Sequence, residues 1–247
     1  MTVGEVYAFL QNRAPFETAE AYDNAGLLVG SAEMPADRIL VTLDITPAAV
    51  RAAEERDAGL IVSHHPVIFH PLRRLSADSV PFLLASNRIA AICAHTNLDR
   101  AAGGVNDLLA TALGLSGVQS APDGICRIGT LPRPMSPEDF AAYVGGRLGT
   151  PVRMREGDTL LERVAVCGGA GGDFLIPLLQ EGGAGAAVTG ELKHHEWLAL
   201  PSGVTVVEAG HYHTEICMAE GMARWLREAF PSAEVTVFPG EPPYRTV

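Results

Sequence analysis

The histidines of this chain fall into four short clusters, three of which directly follow an apolar segment that is predicted to be a strand. The clusters are SHHPVIFH with His64, His65 and His70, AHTNLD with His95, ELKHHEWL with His194 and His195, and GHYHTE with His211 and His213. A single histidine is usually an ordinary surface or core residue. Four tight clusters are typical of a site that binds metal ions.

The spacing of these residues also suits metal coordination. Pro66 restricts His65 to an extended conformation, so that His64 and His65 can point toward two neighbouring ions at a strand end. His211 and Glu215 are four residues apart, which places them on one face of a helical turn. With a second carboxylate from AHTNLD, the predicted metal ligands are His64, His65, Asp99, His211 and Glu215.

Imidazole and carboxylate ligands without thiolate suit Zn, Fe, Mn, Co or Ni, and they do not select among these metals. Two such ions about 3.5–4 Å apart typically activate a bridging water. We therefore predict two divalent metal ions per subunit. Glu215 is the best candidate to bridge them, because its two oxygens can each bind one ion.

The remaining histidines have more than one interpretation. His95 is either a ligand or a residue that supports a ligand, and the second role is favoured. His194 and His195, like His213, are candidate acid–base or substrate-contacting groups, and each is equally interpretable as a surface residue of a helix. His70 is predicted to be structural or to lie at the rim of the site. Among these we take His194, His195 and His95 as the candidate catalytic residues.

The elements that must position these residues alternate between apolar strands and helices, as in an α/β fold with parallel strands. Ligands of such sheets bind at the carboxyl ends of the strands. Strands are predicted at 26–30, 39–44, 60–63, 89–94, 125–131, 163–167, 185–189, 203–208 and 234–238. Helices are predicted at 2–13, after Thr46, near 79–88, at 105–113, after Ser136, and near 172–181, 193–200 and 213–230.

A loop at 114–124 and a proline-dense stretch at 131–137 predict a lobe boundary near 117–125. LIVSHH and AAVTGELKHH, each an apolar strand leading to a histidine pair, suggest that the lobes are related. The glycines of CGGAGGDF do not have dinucleotide-loop spacing and predict a tight strand-to-helix turn. The predicted lobes are residues 1–120, with His64, His65 and Asp99, and residues 121–247, with His211 and Glu215.

Composition excludes several other classes of protein. The 247 residues carry a net charge of −11, which argues against a nucleic-acid-binding face. Export signals and membrane spans are not expected, because no long apolar run occurs. The four cysteines form no Cys-x-x-Cys pair and are expected to be reduced thiols of a cytoplasmic protein.

The segments AYDNAGLLVG, TLDIT, LIVSHHPVIF, AHTNLD, VTGELKHH and GHYHTE resemble, in this order, the Nif-three-like dinuclear metal centre family, often named GTP cyclohydrolase type 2 homologues. The resemblance spans essentially the whole chain. It implies the same five metal ligands and a Nif-three-like fold of two related α/β lobes with mixed, largely parallel sheets. It also implies a ring-shaped homohexamer whose metal sites face an interior cavity.

This chain differs from other members of the family in two details. Longer members carry a nitrogen-regulator-like insertion between the lobes, and at this length no inserted middle domain is expected. Tyr22 stands where the family usually has Trp, a conservative change that leaves the metal ligands intact. The roles of Asp23 and Asn24 are left open.

The resemblance implies a metal-dependent hydrolase that opens the ring of a purine nucleotide, with GTP as the candidate small-molecule substrate. An activated water would attack C8 of guanine, and His194 or His195 would protonate the departing nitrogen. Arg73 and Arg74 would bind phosphates, although adjacent arginines are more often a solvated edge. Two alternatives are a non-catalytic metal-binding or metal-delivery protein that acts through partners, and a metallohydrolase of phosphoesters or amides.

Overall fold

A computed structural model describes residues 1–244 and has the predicted mixed α/β architecture, with two mixed sheets. The strands are β1 (Gly26–Val29), β2 (Arg38–Thr42), β3 (Leu60–Ser63), β4 (Ala90–Cys93), β5 (Ser116–Ser120), β6 (Arg127–Met135), β7 (Arg153–Arg155), β8 (Leu161–Cys167), β9 (Ala186–Thr189), β10 (Thr205–Glu208) and β11 (Glu234–Phe238). The α-helices are α1 (Val3–Arg13), α2 (Pro47–Glu54), α3 (Val80–Ser86), α4 (Thr96–Arg100), α5 (Val105–Ala112), α6 (Pro137–Leu148), α7 (Gly172–Gln180), α8 (His194–Ala199), α9 (His211–Glu215) and α10 (Cys217–Ala229).

The chain divides into two compact units, each with its own sheet. The first unit consists of Met1–Gly104 and Met218–Glu241, and the second consists of Val105–Cys217 and the residues from Pro242 on. This division differs from the expected lobes, 1–120 and 121–247. Helix α5 belongs to the second unit, whereas α10 and β11 belong to the first, because β11 pairs with β2.

The sheet of the first unit has the strand order β1-β4-β3-β2-β11. Strand β1 is antiparallel to β4, and the other neighbours are parallel. Strands β2, β3 and β4 therefore end at the same edge, and each is almost completely buried. Side chains of α2 and α3 pack on Leu40, Ile61 and Ala91 of these strands.

The sheet of the second unit has the order β5-β6-β8-β9-β10-β7, in which β8, β9 and β10 are parallel. Alternate residues of β8 face opposite sides. Val164 and Val166 belong to a core cluster with α5 and α6, and Ala165 and Cys167 to a cluster with α7. A parallel sheet that is covered on both faces explains the nearly continuous apolar runs of its strands.

The two units share one chain path, as the paired LIVSHH and AAVT segments indicated. In each, a first strand pairs antiparallel with the last of three parallel strands, giving β1-β4-β3-β2 and β7-β10-β9-β8. The last parallel strand, β4 or β10, is followed by a short helix, which is α4 or α9. A longer helix, α5 or α10, comes next. The histidine pairs, however, are not equivalent. His64 follows β3 directly, whereas His194 begins α8.

Capping residues define several helix starts, at Thr46 and Ser136 as the sequence predicted. At α1, where no cap was predicted, the Thr2 side chain accepts a hydrogen bond from the amide of Glu5 in a capping box. Thr46 accepts from Ala49 at the start of α2, and Ser136 accepts from Asp139 at the start of α6. No helix of residues 1–244 is both long and apolar enough to cross a bilayer.

Two local predictions are wrong. The segment predicted as the loop 114–124 contains β5, a polar edge strand that pairs only with β6 and therefore lacks an apolar pattern. The strand predicted at 125–131 is the second, because β6 continues through the proline-dense stretch to Met135. Pro132 and Pro134 lie where the register with β8 shifts between Thr130 and Met135, so their missing N–H groups fall outside the regular ladder.

Candidate metal centre

In the first unit, three histidines lie together at the carboxyl edge of the sheet. His64 and His65 follow β3, and His95 follows β4. Their ring centroids are 5.0, 5.1 and 5.6 Å apart. One nitrogen of each ring lies within 4.8 Å of the others. Three imidazole nitrogens at this separation can bind one metal ion.

Main-chain hydrogen bonds hold these residues beyond the ends of the strands. The amide of His64 donates to the carbonyl of Thr42 at 3.3 Å, and the amide of His65 donates to the carbonyl of Leu43 at 3.0 Å. The parallel ladder between β2 and β3 therefore continues through the histidine pair. The side chains extend from a rigid backbone rather than from an open loop.

Each of the three rings has its Nδ1 against an oxygen that can accept a hydrogen bond. A carbonyl oxygen or a carboxylate can only accept, so the proton of the neutral ring lies on Nδ1. The lone pair on Nε2 is then available to a cation, which is the common arrangement behind metal-bound histidines. The three pairs are His64 with the Ala94 carbonyl (2.9 Å), His65 with Asp44 Oδ1 (2.8 Å) and His95 with Asp23 Oδ1 (2.8 Å).

Asp23, whose role the sequence left open, is the residue that orients His95. Its side chain is fully buried and accepts hydrogen bonds from the amide and the hydroxyl of Thr96 as well as from His95. Burial raises the pKa of this carboxyl, but these hydrogen bonds outweigh the effect and hold the pKa of Asp23 well below its usual range. Asp23 therefore stays ionised.

The sequence did not predict a role for Asp44, and it did not predict what Asn24 contacts. Asp44 lies just past β2 in the TLDIT segment, where its carboxylate accepts from His65. The only sequence signal was its place at the carboxyl end of a strand beside the one that leads to the histidine pair. Asn24 has a structural role, since its side-chain amide donates to the carbonyl of Ile68.

Asp99 lies on α4 and faces the same histidines. Its Oδ1 is 3.7 Å from Nε2 of His64. Two donors that each lie about 2.0–2.2 Å from one ion can be at most about 4.4 Å apart, so this pair can share a cation. The first unit thus brings together three of the predicted residues, His64, His65 and Asp99, and adds His95 to them.

In the second unit, His211 and Glu215 lie on the short helix α9. Nε2 of His211 is 3.0 Å from Oε2 of Glu215, and Nδ1 of His211 is 3.3 Å from Oε1 of Glu191. The predicted helix 213–230 is in fact two helices, α9 and α10, with Ile216 between them. The i, i+4 spacing nevertheless places both candidate ligands on one face, as expected.

The glycine loop after β8 packs directly on this pair. Gly169 has a φ of 60°, and a Cβ there would lie 2.1 Å from Oε1 of Glu215 and 3.1 Å from Nε2 of His211. The amide of Gly169 donates to the hydroxyl of Thr214. The CGGAGGDF segment is therefore the predicted tight turn between β8 and α7, and its lack of side chains leaves room for the Glu215 carboxylate.

The shared chain path relates the two ligand pairs to each other. His95 and Asp99 follow β4, His211 and Glu215 follow β10, and both pairs have the spacing His-x-x-x-acid at the start of the short helix. The positions are not identical, because His95 lies two residues past β4 and is the N-cap of α4, whereas His211 lies three residues past β10 and is the first residue of α9. The closeness of a His95 ring nitrogen to those of His64 and His65 favours His95 as a ligand, rather than only as support for one.

The other candidate catalytic histidines lie elsewhere. His194 and His195 are exposed at the start of α8. Neither joins any group of three or more potential ligand atoms within 4.8 Å of one another among residues 1–244. Burial lowers the pKa of His213, which is half-buried, and His70 is exposed beside Phe69.

Gly169→Ala should weaken metal binding, and Gly182→Ala should not. Both glycines have a positive φ, 60° and 75°, so alanine strains either backbone by roughly 1–2 kcal/mol. Only at position 169 does the new methyl group collide with Glu215, since nothing lies within 4 Å of a Cβ at position 182. We expect metal affinity to fall at least about tenfold in Gly169→Ala, measured by titration with Co²⁺. Equal affinities in the two variants would contradict this account of the loop.

Comparisons with known proteins agree with this architecture. The model of the family described as Duf34/NIF3 (NGG1p interacting factor 3) matches residues 1–242. A GTP cyclohydrolase 1 type 2 homolog of Clostridium perfringens is 29% identical over 231 residues, which cover 87% of either chain. NIF3-like protein 1 of Drosophila melanogaster is 32% identical over 223 residues, 83% of this chain and 75% of the relative. The crystal structure of the Staphylococcus aureus hypothetical protein SA1388 superposes with a TM-score of 0.91 at 28% identity, covering 100% of this chain and 99% of that one. The chain belongs to the Duf34/NIF3 family.

Proposed function

We propose that the protein is a dinuclear metal-dependent hydrolase that opens the five-membered ring of a purine nucleotide. The observation that carries the proposal is that His64, His65 and His95 each have Nδ1 against an oxygen acceptor and so offer Nε2 to a cation. The proposed ligands of the two ions are His64, His65, Asp99, His211 and Glu215, to which the closeness of His95 to His64 and His65 adds His95.

The donor set suits divalent ions of the first transition series. It consists of imidazole and carboxylate and contains no thiolate, so Zn, Fe, Mn, Co and Ni all fit it. Asp99 and Glu215 supply two negative charges among the ligands. Asp23, Asp44 and Glu191 supply three more behind the histidines, and together these charges offset those of two cations.

When bound, two such ions supply Lewis acidity and make a water molecule acidic enough to act as a nucleophile near neutral pH. The protein's own groups orient this chemistry. Asp23 and Asp44 keep the rings of His95 and His65 from rotating, because each carboxylate accepts from Nδ1. Glu215 is only 4% exposed and can use both oxygens without competition from solvent.

The substrate class is drawn from the relatives. Several of them carry the name GTP cyclohydrolase 1 type 2 homolog. For that reaction, water adds at C8 of the purine, the bond from C8 to N9 breaks, and a second hydrolysis releases C8 as formate. Arg73 and Arg74 are exposed in the segment after the histidine pair and are proposed to bind the phosphates.

Formate release is the experiment that tests this function. The full chain is freed of metal, reloaded separately with Zn²⁺, Mn²⁺, Fe²⁺ or Co²⁺, and incubated with GTP, ATP and ITP. We expect metal-dependent formate from GTP and none from the His64→Ala variant. Tight binding of metal without turnover of any nucleotide would instead favour the non-catalytic, metal-binding alternative.

Glu215→Gln should empty both metal positions together. The change removes a negative charge shared by two cations and substitutes a poor amide donor, whereas His64→Ala and His65→Ala each remove a ligand of mainly one ion. We expect metal affinity at both positions to fall at least about tenfold in Glu215→Gln, as measured by elemental analysis after dialysis. Two tightly held ions in this variant would show that another residue, most simply Asp99, is the bridge.

His194→Ala and His195→Ala should lower the rate rather than the metal content. Both histidines lie on α8, apart from the ligand groups, and are proposed to donate the proton to the departing nitrogen. Loss of a general acid costs roughly 100-fold or more in rate, with about two metals per subunit retained. Full activity in both variants would make them surface residues, and loss of both metals would make them ligands.

We further propose that the subunits assemble into a homohexamer in the cytoplasm, as the family resemblance implies. Exposed large apolar side chains support association, since Leu72, Leu75 and Leu198 are 49%, 57% and 74% exposed. Sedimentation velocity at micromolar concentration is expected to give a species of six subunits. A single monomer peak under these conditions would overturn the proposal.

A further inference from the structure

A cavity of about 370 Å³ lies in the second unit beside His211, and the metal ligands alone do not account for it. Gly210, the residue before His211, forms part of its wall, as does Glu191, whose carboxylate is 3.3 Å from Nδ1 of His211. This volume lies within the range of sites that bind small molecules. A ligand here would therefore share the Glu191 carboxylate with a proposed metal ligand.

The charges of the cavity wall leave one carboxylate available to a ligand. Glu208 is buried and already satisfied, because Oε1 accepts from Arg153 and Oε2 accepts from the amide of Leu192 at 3.0 Å. Arg153 is neutralised by the same pair. Glu191 is different, since its side chain is 54% exposed and only its Oε1 faces His211. The cavity therefore offers one anionic acceptor, which favours a ligand with N–H donors.

The remaining wall suits a flat ring. Tyr244 is 54% exposed and Pro151 is exposed, and both line the cavity. An exposed aromatic face stacks on heteroaromatic rings, which favours a base over an aliphatic amine. His213 completes the wall.

We infer that this cavity binds the base of a guanine nucleotide, with Glu191 accepting hydrogen bonds from the ring N1–H and the 2-amino group and Tyr244 stacking on the ring. A carboxylate can accept two parallel N–H donors, and guanine carries two such donors side by side. Adenine and hypoxanthine each lack at least one of them. The inference rests on the proposed function only in taking a purine as the substrate, and it adds the residues that select guanine.

Binding of nucleosides by calorimetry tests the inference without any turnover. Guanosine, inosine and adenosine are titrated into the full chain, with metal and after chelation. We expect guanosine to bind at least about tenfold more tightly than inosine or adenosine in both preparations, the scale set by a site that pairs a substrate N–H. Glu191→Gln should remove this preference. Tyr244→Ala should lower the affinity for all three nucleosides about tenfold through the loss of stacking.

The controls separate this inference from the proposed function and from a loss of structure. Glu162→Gln removes an exposed carboxylate of β8 outside the cavity and should leave every affinity unchanged. Metal content is measured in all variants, because Glu191 also contacts His211. If the protein binds guanosine more tightly than inosine and adenosine but releases no formate from GTP, only the proposed hydrolase function is refuted. Formate release from GTP with guanosine affinity unchanged in Glu191→Gln and Tyr244→Ala would overturn the cavity assignment.

Discussion

An imidazole can bind a cation only through the nitrogen that carries no proton, and the proposed centre depends on that constraint. The choice of nitrogen is made by whatever each Nδ1 contacts, which is a carbonyl for His64 and a carboxylate for His65 and His95. These acceptors come from strand ends, where parallel strands bring side chains to one edge. The buried strands thus determine not only where the histidines lie but also which atom each one presents.

The repeated chain path places the same spacing, His-x-x-x-acid, after equivalent strands. His95 is the N-cap of α4 and Asp99 lies within that helix, whereas His211 and Glu215 are the first and last residues of α9. The two repeats do not coincide with the two compact units, because α5 belongs to the second unit and α10 to the first.

The sequence predicted those features that have local physical causes. Strand β3 was found because a strand buried on both faces leaves a continuous apolar run, and helix α2 was found because Thr46 and Pro47 mark its start. The loop 114–124 was predicted wrongly because an exposed edge strand such as β5 buries nothing. Asp44 and Glu191 were missed for another reason. Their roles depend on a partner strand, and single carboxylates at strand ends carry no pattern that marks them.

The two units put equivalent positions to different uses. After β3 the chain places His64 and His65, and after β9 the same positions hold Gly190 and Glu191. Gly190 has no room for a side chain, since a Cβ would lie 2.8 Å from Cα of His211 and 2.7 Å from the Thr214 hydroxyl. At these positions the first unit thus has two imidazoles, while the second has a glycine that leaves room for His211 and Thr214 and a single carboxylate that faces both His211 and the cavity. Two positions of a repeated strand end therefore carry different chemistry without any change in the chain path.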